Sequence, residues 1–250
     1  MIKLKTDTEI AKMKASGEVA SRAMLAVAEK IKPGITTGEL DKVAYHMITR
    51  NGASPSFKGY RGFPGSICAS VNEEVVHGIP GGRRLNEGDI ISIDMGAFLN
   101  GYHSDMARTF PVGKVDGEKQ RLIEVTQTSF FEGLKGFKEG NRLIEISRRV
   151  QQTAENAGYT VVRDLVGHGI GQDLHESPDV PNFAFKGPNP RLNTGIVLAI
   201  EPMINAGEAD VDWCDDGWTV VTADRKPSAH YENTVALTNE GLMILTNSHI

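Results

Sequence analysis

A helix-helix-sheet order occurs twice in this chain of 250 residues, and that repeat limits the fold more than any other feature. Lys32, Gly34, Leu40 and Gly52 fall on Lys138, Gly140, Ile146 and Gly158 at an offset of 106. Further on, Arg84-Leu-Asn-Glu-Gly-Asp-Ile-Ile-Ser-Ile-Asp94 parallels Arg191-Leu-Asn-Thr-Gly-Ile-Val-Leu-Ala-Ile-Glu201, and Val76-His77-Gly-Ile parallels Gly167-His168-Gly-Ile. A period this long marks a duplication rather than a solenoid. Two such halves are expected to pair their strands into one curved antiparallel sheet backed by helices, an α/β (α+β) architecture. The chain is then expected as a single domain, 1–250, with pseudo-symmetric halves of about 1–112 and 113–250 and a core running through the boundary. The repeat brings an acid from each half to the same place, Asp94 and Glu201. It predicts an analogue of Asp105 in Glu232 and pairs His77 with His168.

Within each half the local signals are explicit. Thr6-x-x-Glu9 is a capping box, after which Ile10, Met13, Ala20, Met24, Val27 and Ile31 recur at helical spacing until Pro33-Gly34. Thr36-x-x-Glu39 opens a second helix, closed by Asn51-Gly52. Leu122, Val125, Phe130, Leu134 and Phe137 mark a third, and Ile146, Val150 and Ala154 a fourth, closed by Ala157-Gly158. Residues 54–65 form a loop, and Ser66 to Val71 and Val75 to Ile79 are expected as short strands.

Asn100-Gly101 is the strongest two-residue hairpin signal a sequence offers. With those two as the loop, Leu99 faces Tyr102, Gly96 faces Asp105 and Asp94 faces Ala107. One side of the ladder then collects Ile91, Ile93, Met95, Ala97, Leu99, Tyr102, Met106 and Phe110, and the other carries both aspartates. Diagonal neighbours lie roughly 7–8 Å apart, within reach of a shared metal pair. Gly96 leaves room opposite Asp105. Taken alone, the stretch reads equally well as a half-exposed hairpin with two acids on its solvent face.

Four carboxylates meeting in one cleft, Asp94, Asp105, Glu201 and Glu232, cannot all ionise unaided. Two divalent cations would balance them, and one imidazole, His168 or His77, would complete an oxygen-rich site suited to Mn²⁺, Fe²⁺, Co²⁺ or Zn²⁺. Other classes fall away on composition. With a net charge of -5 and no basic run, nucleic acid is not expected as the main partner. No apolar run reaches the length of a membrane span and the start lacks a signal peptide, so no membrane partner and a cytoplasmic location are expected. Cys68 and Cys214 are expected as reduced thiols.

These residues and their order resemble the methionine aminopeptidases of peptidase family M24, specifically the short bacterial type I form, over nearly the whole chain. The segments that carry the resemblance are Val71-Asn-Glu-Glu-Val-Val-His-Gly-Ile-Pro80, Asp94 with Asp105, Gly167-His-Gly-Ile-Gly171 with His175, Ile200-Glu-Pro-Met203 and Tyr231-Glu-Asn-Thr234. The resemblance implies the duplicated pita-bread fold. It also implies that Asp94 chelates one metal, Asp105 and Glu232 bridge both, and His168 and Glu201 hold the other, with Glu201 as general base. His175 is implied near the scissile carbonyl and His77 near the peptide nitrogen. Phe57, Tyr60, Phe63, Cys68, Leu174 and Trp218 match the family's apolar slot for an unbranched thioether. Phe57 departs from a commonly small residue and Leu174 from a commonly aromatic one.

The implied function is removal of the initiator methionine from nascent chains ahead of a small second residue, by a monomer in transient contact with the ribosome. The absence of a Cys/His-rich extension and of a long insertion in the second half argues against the eukaryotic and type II forms. The alternatives are an Xaa-Pro peptidase of the aminopeptidase P or prolidase kind and a non-catalytic protein-binding module. His46, His230 and His249 are expected to be structural or solvated, and His103 to support the acids from behind.

Overall fold

The computed structural model describes residues 2–246; His249 lies outside them. The first half contains α1 (Asp7–Ala28), α2 (Thr37–Arg50), β1 (Ser54–Pro55), β2 (Cys68–Val71), β3 (Glu74–Val76), β4 (Ile90–Leu99) and β5 (Tyr102–Pro111). The second contains α3 (Gly117–Leu134), α4 (Ile144–Asn156), β6 (Thr160–Val161), β7 (Gly167–Gly169), β8 (Glu176–Val180) and β9 (Val197–Ile200). It continues with β10 (Met203–Asn205), β11 (Val211–Trp213), β12 (Val220–Thr222), β13 (Ser228–His230), β14 (Glu232–Thr238) and β15 (Gly241–Ile244).

Local chemistry sets the helix starts. Thr6 and Thr36 each accept from the backbone N–H three residues on, while Glu9 and Glu39 return to the cap N–H, so both capping boxes form as predicted. Helix α3 starts on the Asp116 carboxylate and stops at Leu134, earlier than the apolar spacing through Phe137 suggests. Phe137 is buried from the turn beyond the helix end.

One nine-stranded antiparallel sheet runs β1-β4-β5-β14-β9-β7-β8, with β2 also on β4 and β15 also on β14. The β4–β5 hairpin has the predicted register: Leu99 opposite Tyr102, Gly96 opposite Asp105, Asp94 opposite Ala107. Asn100 (φ 55°) and Gly101 (φ 83°) make the mirror-image turn whose twist matches the strands. Gly96 serves packing rather than the acids, since a Cβ there would meet Ser104 O at 2.6 Å and Ser56 Cβ at 2.8 Å. The strands around residue 70 are shorter than expected, Cys68–Val71 and Glu74–Val76, and the second ends where His77 turns to φ 60°.

Helices α1 and α2 cover one face of β4 and β5, burying Ile91, Ile93, Met95, Ala97 and Met106. Helices α3 and α4 cover β9 and β14 in the same way. Tyr102 belongs instead to a third cluster with Ile10, Phe57, Phe63 and Leu174. A fully buried side chain such as Ile93 contributes about 2–5 kcal/mol against alanine.

The halves meet where β5 pairs β14, with Ala107 opposite Glu232 and Met106 opposite Asn233. Their frames match bond for bond. Gly34 N–H donates to Leu85 O at 2.7 Å as Gly140 N–H donates to Leu192 O at 2.8 Å, and the guanidinium groups of Arg84 and Arg191 return to Gly34 O and Gly140 O. The sheet register corrects two sequence equivalences. Asp94 pairs with Ala107 and Gly96 with Asp105, while Ile200 pairs with Asn233 and Met203 with His230. With Glu201 standing for Asp94, Glu232 therefore takes the place of Ala107, and the analogue of Asp105 is His230. Likewise Ser70 lies opposite Ser92 and His168 opposite Ala199, so His168 stands where the first half has Ser70 and not His77. An offset read along the chain misses these because insertions between strands change it, whereas hydrogen-bonded pairing does not.

Candidate active site

The concave face of the sheet carries a cavity of about 210 Å³. Its floor holds Asp94 on β4, Asp105 on β5, His168 on β7, Glu201 just after β9 and Glu232 at the start of β14. Alternation along each strand aims these side chains inward, opposite the helix-covered face. Ligand atoms of Asp105, His168 and Glu232 lie within 4.8 Å of one another. His168 Nε2 is 3.5 Å from Glu201 Oε1 and 4.0 Å from Asp105 Oδ2.

Electrostatics make this floor untenable as bare carboxylates. Burial, then the charges of Asp105 and Glu201, push Asp94 well above the usual carboxylate range. Burial raises Asp105 to about 7. Glu201 and Glu232 are raised well above the ordinary glutamate value, first by burial and then by Asp105. Asp94 Oδ1, Asp105 Oδ1 and Glu232 Oε1 are buried without a hydrogen-bond partner among the described residues. His168 Nδ1–H donates to Gly169 O at 2.9 Å, which leaves the Nε2 lone pair facing the acids. Burial holds that imidazole neutral, at about 3. Orphaned carboxylate oxygens around one imidazole lone pair fit divalent cations, which replace the missing donors with positive charge.

The cavity wall is apolar: Phe57, Phe63, Leu174 and Trp218 surround the slot beside Cys68 and Val76, and the Phe63 and Trp218 rings meet edge-on at 5.1 Å. Cys68 is a wall residue, its thiol pushed up by burial and by the neighbouring acids. At the mouth, Tyr60 stacks on His175, and its O–H lies 2.9 Å from His175 Nδ1. The His175 ring is 4.2 Å from that of His168, and burial followed by the Arg61 charge lowers it to about 4. His77 meets Trp218 edge-on, with a non-glycine φ of 60° held in place by Ala69 N–H on Gly78 O.

Residues 11–239 match metallopeptidase family M24. The chain belongs to that family. A methionine aminopeptidase of Clostridium perfringens is 54% identical over 246 residues, 98% of this chain and 99% of its own length. The crystal structure of methionine aminopeptidase from Thermotoga maritima superposes with a TM-score of 0.96 at 41% identity, covering 99% of this chain and 100% of that one. Prolidase from Pyrococcus furiosus, at 24% identity and a TM-score of 0.80 over 66% of its length, shares the fold alone. The duplicated, helix-backed sheet is the pita-bread fold of these M24 proteins.

In this M24 chain all eleven residues singled out from the sequence line the same cavity. Phe57 and Leu174, the two departures, line it as well. His103 turns away, its Nδ1 2.9 Å from Ser56 Oγ and its ring against Phe98. His46 is exposed on α2. Sequence reasoning missed the supports. Thr234 Oγ1 accepts from Asp105 N–H and donates to Asp105 O, and Thr109 Oγ1 does the same for His230. Arg108, only 4% exposed, donates to Glu232 O and Asn233 Oδ1 and lies 4.0 Å over the Tyr231 ring, placing a positive charge behind Glu232. Lys5 and Glu176 form a buried ion pair at 2.6 Å beside Gly171, where a Cβ would strike both, tying the N-terminal segment to the loop of His175.

Proposed function

We propose that this chain is a metal-dependent aminopeptidase that removes the N-terminal methionine of newly made polypeptides. The observation that carries the reading is an apolar slot ending on a floor of buried acids with unpartnered oxygens. An unbranched thioether side chain fits such a slot and gains sulfur-aromatic contacts with Phe63 and Trp218. The site takes a chain terminus, since the acids close its inner end.

Asp94, Asp105, His168, Glu201 and Glu232 would hold two divalent ions. When bound, such ions polarise the scissile carbonyl and bring water toward neutral ionisation. Glu201 takes the proton of the attacking water on a carboxylate oxygen and returns it to the leaving amine nitrogen. Tyr60 O–H donates to His175 Nδ1, so the neutral ring presents Nε2–H to the oxygen that becomes negative at the tetrahedral stage. His77, kept neutral by burial, offers its ring to the peptide nitrogen on the other side. Phe57, Phe63 and Trp218 exclude bulk water from the slot, which strengthens each of these contacts.

Turnover of Met-Ala-Ser against an Xaa-Pro tripeptide, in Mn²⁺, Fe²⁺, Co²⁺ and Zn²⁺ in turn, tests the reading. Release of methionine from Met-Ala-Ser with at least one metal, and little cleavage before proline, is expected. Preference for the Xaa-Pro peptide, or no cleavage under any metal, overturns it.

A further inference from the structure

His230 stands on the second half at the place that Asp105 holds on the first. The two backbones are fixed alike, each clamped through N–H and C=O by a threonine hydroxyl, Thr109 for His230 and Thr234 for Asp105. Alternation along β13 and β14 therefore aims His230 to the same face as Glu232, toward the floor of the cavity but beneath it. The side chain is 1% exposed, and neither ring nitrogen has a hydrogen-bond partner among the described residues. A neutral imidazole carries one N–H, and leaving it unpaired in the interior costs about 1–3 kcal/mol. Among the described residues, the carboxylate within 4.0 Å of this ring is that of Glu201, whose Oε2 lies 3.7 Å from His230 Nε2. The other oxygen of the same carboxylate, Oε1, lies 3.5 Å from His168 Nε2. Glu201 is thus set between two imidazoles, one on each oxygen.

We propose that His230 is a positioning residue whose Nε2–H donates to Glu201 Oε2, turning the carboxylate so that Oε1 faces the cation position beside His168. This rests on the reading of Glu201 as a metal ligand. The hydrogen bond closes as the carboxylate draws in by about 0.5–1 Å from its present separation of 3.7 Å. The division of labour explains a buried histidine in a strand whose other inward residues are small or acidic. It holds Glu201 without spending the oxygen that the cation needs, as partners behind metal ligands do generally.

Chelator-stripped wild type, His230→Gln and His230→Leu, titrated with Mn²⁺ by calorimetry, test this. His230→Leu should bind Mn²⁺ about 10-fold more weakly while the thermal midpoint of the stripped protein stays at or above wild type. His230→Gln, which keeps an N–H donor of similar reach, should return to within about threefold of wild type on the same principle. His230→Leu binding like wild type, or His230→Gln as weak as His230→Leu, overturns the proposal. If the leucine variant does not fold, ¹⁵N-histidine NMR of wild type decides: a neutral Nε2–H tautomer at His230 supports it and Nδ1–H overturns it. Wild-type protein that takes up no divalent ion would refute the metal reading of the site, and the tautomer in that same protein would still decide this inference.

Discussion

The first and second halves of the molecule share a frame and differ in what they hang on it. The loop-to-strand bonds at Gly34 and Gly140, the guanidinium return of Arg84 and Arg191, and the threonine clamps at Thr109 and Thr234 recur in both. Each pair occupies positions related by the strand pairing. The inward residues do not recur: Asp94 answers Glu201, but Ser70 answers His168, Asp105 answers His230 and Ala107 answers Glu232. Backbone repetition thus supplies equivalent places, and asymmetric side chains at those places make a floor rich in acids on both sides yet open to an imidazole on one. A symmetric floor, with acids at all of them, would add further charge to a cluster whose members already raise one another.

The equivalence of Asp94 and Glu201 offers the strongest way to break this comparison, because it joins equal places with unequal roles. Glu201→Gln keeps the shape but removes the proton acceptor, and kcat/KM on Met-Ala-Ser should fall by about 10³–10⁴-fold with circular dichroism unchanged. Turnover within tenfold of wild type would remove Glu201 from its role. The next effect belongs to the floor as a whole. Without metal, Asp105 holds its proton up to about 7, against an ordinary value of 3.8, and Asp94, Glu201 and Glu232 are raised as well. The folded state then binds more protons than the unfolded chain, so stability falls as pH rises. Below 6.5 the buried histidines oppose this, because His168 and His230, both lowered to about 3, must charge on unfolding. That opposition fades as pH rises through 6.5 and is gone about one pH unit above it, where the acids show alone. Chelated protein should lose several degrees of thermal midpoint between pH 6.5 and 8.5, and metal-loaded protein should not. Parallel curves for the two forms would contradict the balance of charge described for the floor.

How much of this was readable in the chain divides along the same line as the halves. The hairpin of β4 and β5 was legible to the residue, because Asn100-Gly101 fixes a two-residue turn and the turn fixes the register. Capping boxes at Thr6 and Thr36 were legible for the same reason: all the information lies within four residues. The acids and histidines of the cavity could be picked from their motifs, including the paired places of Asp94 and Glu201. Their other equivalences could not. That Asp105 answers His230 depends on which rung of β9 meets which rung of β14 and which rung of β10 meets which rung of β13, and no two-residue turn joins those strands to fix the register. Lys5 with Glu176, and Arg108 behind Glu232, were hidden too, since a charged residue is read as surface until packing shows it buried.

The threonine clamps sharpen the comparison at smaller scale. Thr234→Val and Thr109→Val each free a buried N–H and C=O while keeping the side-chain shape, and each should destabilise the protein by about 1–3 kcal/mol in denaturant unfolding. Their effects on metal binding should differ. Thr234 holds the backbone of Asp105, a proposed ligand, whereas Thr109 holds that of His230, which acts only through Glu201. Mn²⁺ affinity should therefore fall further in Thr234→Val than in Thr109→Val. No loss of Mn²⁺ affinity in either variant would mean that the two clamps serve the sheet alone.

The smallest effect separates how the halves start their second helix. In α2 the cap is local, Thr36 accepting from Glu39 N–H while Glu39 accepts from Thr36 N–H. In α4 the first residue has no such box, and Asn189 supplies a side-chain oxygen to Ile144 N–H from 45 residues downstream, at 3.1 Å. Thr36→Ala should cost about 1 kcal/mol, the usual loss of a good N-cap. Asn189→Ala removes one long hydrogen bond from a helix end that water also reaches, so it should cost about half as much or less. The order of the two losses is decisive, because the two helices occupy equivalent places and similar cores. If urea unfolding ranked Asn189→Ala as the more damaging, the remote cap would be holding more than the helix end, and the loop that carries Asn189 would join the frame that the two halves share.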